Sequence, residues 1–175
     1  MPERTFWGEF PTHIDRERFN KILEKYDVFS KREGSLVQRY AKPWYEYVTS
    51  VIEDCDKYAE RLERYASEME GLFEKYLTST MEEREQVRRR VRSMGRSVSS
   101  IVSRMAHLGC LQKGVPYEKV RRKLYRDLSE GIMGVVPEAV SDVRRIIRMW
   151  KSNKAGMLKY LDEIVTRARA EGVEL

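Results

Sequence analysis

Residues 44–76 read "WYEYVTSVIEDCDKYAERLERYASEMEGLFEKY". Apolar side chains fall at Trp44, Val48, Val51, Cys55, Tyr58, Leu62, Tyr65, Met69, Leu72 and Tyr76, in alternating steps of four and three without a slip. On a helix that spacing keeps one seam facing a neighbour, and it does not fit the period of two of a half-buried strand. A helix over 44–78 has a length of about 50 Å at 1.5 Å per residue. Pro43 suits its first turn, where a missing N–H leaves nothing unpaired.

The segment that follows repeats the pattern. Thr80 reads as an N-cap with Glu83 three residues on, the signature of a capping box. Val87, Val91, Met94, Val98, Ile101, Met105 and Leu108 take up the four-three steps again, and Gly109 is a natural stop. Two long helices with so short a connection predict an antiparallel hairpin of 44–78 and 81–108. Pro116 opens a shorter helix with Val120, Leu124 and Leu128, which "EGIMGVVPE" breaks. Pro137 opens the last helical region, where Val140, Val143, Ile147 and Trp150 face inward. Lys154 takes the next seam position, and Met157, Leu161, Ile164 and Ala168 resume the register. One bent helix or two over 137–171 both fit.

At the front, residues 13–31 form a helix with Phe19, Ile22, Leu23, Tyr26 and Phe29 on one face, capped by Thr12 or Asp15. Residues 1–12 read as an extended aromatic arm. Its Phe6, Trp7 and Phe10 need cover from this bundle or from a neighbour, which makes it a candidate assembly arm. The fold expected is all-α, a single domain over 1–175. An elongated bundle over 35–175 is built on the hairpin, with an N-terminal arm and helix and C-terminal helices.

Composition agrees. The chain has 175 residues, 41% hydrophobic, which supports a real core and excludes wholesale disorder. Charged residues make up 35%, above the roughly 25% of an average domain, as a molecule with much surface per unit of core requires. No apolar run approaches the roughly 20 residues of a membrane span, and acids in "MPERTFWGEF" argue against a signal peptide, so a soluble intracellular protein is expected. Cys55 on the seam and Cys110 after a glycine read as buried or half-buried thiols, with a disulfide between them left open.

Charge is unevenly placed. Residues 44–79 hold 4 Lys+Arg against 9 Asp+Glu, whereas residues 80–126 hold 13 against 4. That one segment, at +9, exceeds the +6 of the whole chain and points to a polyanionic partner. Within it Arg89, Arg92, Arg96, Ser99, Ser100 and Ser103 follow a stripe away from the seam, with Arg88 beside it. Guanidinium groups clamp phosphate oxygens with paired donors, and serine hydroxyls add donors while letting a backbone come close. The bland alternatives are a solvated face paired with acids, or small residues that let another helix pack. A second cluster, Lys119, Arg121, Arg122, Lys123 and Arg126, has Tyr117 and Tyr125 interleaved; a third is Arg144, Arg145 and Arg148 with Lys151. Clusters on separate elements suit backbone contact over a surface better than one recognition helix.

Nothing in the sequence reads as an enzyme. The chain has 2 histidines, neither in a metal-ligand spacing, and no phosphate loop or nucleophile elbow. No cofactor or metal is expected.

The run "VQRYAKPWYEYV", residues 37–48, resembles a short segment near the N-terminus of coat proteins from rod-shaped and filamentous double-stranded DNA viruses of hyperthermophilic archaea. Gln38, Arg39, Tyr40, Ala41, Lys42 and Trp44 carry the resemblance, and Pro43 is an insertion in it. The resemblance implies a helix-rich subunit that polymerises and wraps DNA, with Arg39 and Lys42 facing phosphate. The expectation is a structural protein, located in a virion, that self-assembles as a homo-oligomer or a hetero-oligomer with a related helical subunit and coats double-stranded DNA through phosphate contacts, with RNA not excluded. Its rivals are a helical nucleic-acid-binding subunit of a larger, cytoplasmic complex and a coiled-coil protein-interaction module.

Overall fold

The computed structural model describes residues 3–5, 8–28, 34–112 and 117–175, with the side chains of Glu3 and Tyr117 outside that description. The chain runs β1 (Glu3–Thr5), β2 (Gly8–Phe10), α1 (Arg16–Lys25), α2 (Leu36–Thr78), α3 (Met81–Leu108), α4 (Tyr117–Lys123), a π-helical turn (Leu124–Leu128), a 3-10 turn (Met133–Val135) and α5 (Val136–Ala170). It is an all-α bundle with one small hairpin.

The mast of the molecule is α2, of 43 residues and about 65 Å. It starts eight residues earlier than 44 because Ser35 and Gln38 close a capping box, leaving Pro43 inside the helix. An interior proline removes a backbone bond and costs about 3 kcal/mol. Burial of its ring offsets part of that, together with an aromatic cluster around the neighbouring Trp44. Phe19 lies 4.2 Å from Trp44, and Tyr160 meets both Trp44 and Phe10 edge-on at 5.9 and 5.3 Å. Each such pair is worth ~0.5–1.5 kcal/mol beyond its buried area.

Only Ser79 and Thr80 separate α2 from α3, and the Thr80–Glu83 capping box forms as the sequence predicts. Antiparallel pairing shows in the ladder of cross-contacts. The Arg84 side chain donates to the Tyr76 carbonyl, Arg90 forks onto Glu68, and Cys110 joins Cys55. Gly109 ends α3 at φ 90°, with His13 so close that a Cβ would sit 2.5 Å from its carbonyl. Beyond that point α1, capped by Asp15, takes the place of α3 against the first half of α2. The helix expected over 13–31 is thus described over Arg16–Lys25, and Phe29 lies outside the described residues.

Along the opposite side of α2 runs α5, a single antiparallel helix of 35 residues. Asp56 accepts from Trp150 Nε1 at 2.9 Å and pairs with Lys154 at 2.7 Å, and Arg144 pairs with Glu63 and Glu70. The seam passes through Asn153, not Lys154. Asn153 is buried, and its amide donates to the Cys110 carbonyl at 2.8 Å. The helix therefore runs unbroken through "KSNKAG", because its one inward polar group is satisfied there.

Two alternatives that the sequence leaves open are resolved by the fold. Cys55 and Cys110 are a disulfide and not free thiols, since the α3 turn at Gly109 delivers Cys110 onto the α2 seam. The described part of the arm is extended strand folded back on itself. Strand β2 pairs back on β1, Glu3 opposite Phe10, and Phe10 is 0% exposed against Tyr47 and Tyr160. Phe10 is thus core, not an assembly contact; Phe6 and Trp7 lie outside the described residues. Among the described residues no helix is long and apolar enough to cross a membrane.

Candidate nucleic-acid interface

Between Glu85 and Glu118 the sequence holds no carboxylate, and α3 occupies most of that interval. Its seam faces α2. Its flank meets the π-helical turn at Gly95, where a Cβ would lie 2.6 Å from Leu128 Cβ and 3.0 Å from the Leu124 carbonyl. Leu124 and Leu128 are buried against α3, which turns Tyr125 and Arg126 outward. That close approach makes α4 and the turn the far wall of an open cleft of about 560 Å³.

Arg96, Arg104, Arg121 and Arg122 line the cleft with Ser99, Ser100, Ser103 and Tyr125. No carboxylate lines it, and none of the four guanidiniums has a carboxylate partner among the described residues. Arg121 Nη1 donates to Ser103 Oγ at 3.2 Å, tying α4 to α3 across the floor. A second recess of about 300 Å³ shares Ser103 and Arg121 and reaches His13, His107 and Gln112. There His13 Nε2 donates to the His107 carbonyl at 2.9 Å, which brings both histidines of the chain together. Four unneutralised guanidiniums converging in one concavity repel one another, and a polyanion relieves that repulsion.

The structure unites parts of two sequence clusters: Arg96, Ser99, Ser100 and Ser103 from α3 with Arg121 and Arg122 from α4. Ser99 is a partial correction. At 6% exposed it lies in the floor of the cleft and does not project from it. Arg88 is not free on the stripe, because its guanidinium bends back to donate to Tyr76 Oη at 2.7 Å. Arg89 reaches Glu85 at 3.8 Å, and Arg92 packs over the left-handed turn at Gly131.

Other predicted residues go elsewhere. Lys123 turns to Glu138 and Asp142 of α5, and Arg126 to Asp127. Arg144 is held by Glu63 and Glu70 of α2, and the Glu70 hydrogen bond raises its pKa above the ordinary value. For Lys123 and Arg144 the partners lie on a packed neighbouring helix that the local sequence does not display, whereas Arg126 meets the carboxylate next to it in the chain. Arg145, Arg148 and Lys119 stay exposed, apart from the cleft lining. Arg39 lies 5.4 Å from the Tyr40 ring, while Lys42 is exposed. Both precede Cys55 on α2, beyond the reach of α3, so they do not join the cleft.

Sequence reading missed Arg104, although it extends the Arg96–Ser100 stripe by one more step of four. It also missed Arg61 and Arg64, basic residues in the acidic helix, which line a recess beside the Arg90–Glu68 pair. Among the described residues no cluster of three or more His, Cys, Asp or Glu stands ready to hold a metal. No protein-family model, curated protein or solved structure matches the chain, and the resemblance at residues 37–48 stands on those residues alone.

Proposed function

We propose that the chain is a non-catalytic nucleic-acid-binding protein that grips phosphate backbone in the cleft between α3 and α4. The observation that carries this reading is the convergence of Arg96, Arg104, Arg121 and Arg122 with three serines and no carboxylate. Guanidinium groups supply forked donors to phosphate oxygens, and the Ser100 and Ser103 hydroxyls add shorter ones. Exposed basic residues on the two helices that wall the cleft, Arg89 of α3 and Lys119 of α4, favour an extended polyanion over a small phosphorylated ligand. The resemblance implies one form of this function, the coating of duplex DNA by assembled subunits. With Phe10 in the core, assembly must use other surfaces.

A salt titration tests it. At low salt the protein binds nucleic acid with little sequence preference, and log affinity falls linearly with log salt. Replacing Arg96 and Arg122 with alanine lowers affinity and reduces the slope by roughly 0.7–0.9 for each phosphate that is no longer neutralised. Absence of binding to any nucleic acid at low salt, or an affinity indifferent to salt, refutes the proposal.

A further inference from the structure

The cleft carries one side chain that phosphate binding does not need. Tyr125 is 60% exposed, whereas the other aromatic side chains among the described residues are buried or half-buried in the bundle. It stands on the π-helical turn, a backbone form found mostly as single-turn bulges in α-helices and frequently at functional sites. Leu124 and Leu128 fix that turn against Gly95, so the ring is presented from a rigid wall and not from a loop. Arg96, Arg121 and Arg122 line the same concavity.

Resting on the nucleic-acid reading, we infer that the cleft takes an unpaired stretch of polynucleotide, with a base stacked on Tyr125 and its phosphates on the flanking arginines. A duplex keeps its bases stacked inside and could touch only the rim of a concavity of about 560 Å³. Such a volume lies within the roughly 300–1,000 Å³ of sites that enclose small ligands, so it suits nucleotide units one at a time. An unpaired strand supplies phosphate charge and a free π-face together, the pairing of groove and platform that strand-binding proteins use. The strand has somewhere to continue. Through Ser103 and Arg121 the cleft opens into the recess at His13 and His107, and Arg96 to His107 spans about 16 Å along α3, room for a few nucleotides.

The test is fluorescence anisotropy with the full chain at low salt, using a labelled oligothymidylate of about twelve nucleotides, a length within known strand-binding site sizes. The probes compared with it are a duplex of equal length, an abasic strand and an acidic peptide. The strand binds more tightly than the duplex. Tyr125→Ala weakens it roughly tenfold, and Tyr125→Phe binds as wild type does. The abasic strand binds wild type and Tyr125→Ala equally, because it has nothing to stack. Should Tyr125→Ala bind the oligothymidylate as wild type does, or the duplex bind at least as well as the strand, the inference falls while the proposed function stands. If neither nucleic acid binds, or the acidic peptide competes as well as the oligonucleotide, the proposed function falls with it. Tyr125 is exposed, so both variants keep the wild-type circular dichroism spectrum.

Discussion

Two glycines in helices allow one substitution to be tried in opposite surroundings. Replacing a helix-interior glycine with alanine stabilises by about 1 kcal/mol when the new methyl meets nothing. Gly71 of α2 is such a site, with nothing beyond its own helical backbone within 4 Å of the added Cβ. At Gly95 the same methyl arrives 2.6 Å from Leu128 Cβ and 3.0 Å from the Leu124 carbonyl. Carbon atoms prefer separations of about 3.5–4.0 Å, so the π-helical turn must retreat by roughly 1 Å. Overpacking of that kind costs about 1–3 kcal/mol, which cancels or outweighs the helix gain. Gly71→Ala is therefore expected to raise the urea midpoint and Gly95→Ala to lower it or leave it unchanged, with a gap between them of about 2 kcal/mol. Equilibrium urea unfolding at unchanged m-value measures it. The turn also forms the cleft wall, so Gly95→Ala weakens nucleic-acid binding and Gly71→Ala does not. A Gly95→Ala variant as stabilised as Gly71→Ala would refute the close packing of the turn on α3, and with it the wall of the cleft.

Three further outcomes are expected. The Cys55–Cys110 disulfide spans 55 residues, so the Cys55→Ala, Cys110→Ala double variant loses about 4 kcal/mol on loop-closure grounds; an unchanged urea midpoint would contradict the pairing. Asp56→Ala strands the buried Trp150 N–H and costs about 1–3 kcal/mol, whereas Asp56→Asn keeps an acceptor and most of the stability. Glu68 has its pKa lowered below the ordinary 4.5 by the hydrogen bond from Arg90, so the pair contributes stability above that pH and loses it as pH falls through the folded value. Because both partners are substantially exposed, Glu68→Gln costs under about 1 kcal/mol at neutral pH and nothing in acid, which parallel unfolding curves at the two pH values check.

The long helices were legible because their information is local. Alternating four-three steps, the Thr80–Glu83 box and the stop at Gly109 each lie within a few residues of what they determine. Ser35–Gln38 was equally local and went unread, because Pro43 offered a conventional first turn and drew the boundary to itself. The cleft was half legible. Arg96 and Ser100 face solvent on the helix wheel and do so in the fold, but Ser99 is buried, and the far wall is a turn some 25 residues downstream that packs at Gly95. The same distance effect hid Lys123 and Arg144. A helical wheel marks both as outward, and only the packing of α5 against α2 and α4 puts carboxylates beside them. The disulfide depended on how far α3 runs back along α2, a register that neither cysteine displays by itself.

Arginine-selective chemical modification of the full chain, read residue by residue with mass spectrometry, probes the α3–α4 cleft most directly when nucleic acid is present or absent. Bound polynucleotide is predicted to shield Arg96, Arg104 and Arg122 from the reagent and to leave the exposed Arg148 reactive. Shielding of Arg145 and Arg148 with the cleft arginines still reactive would place the nucleic acid on the outer face of α5, contrary to this account.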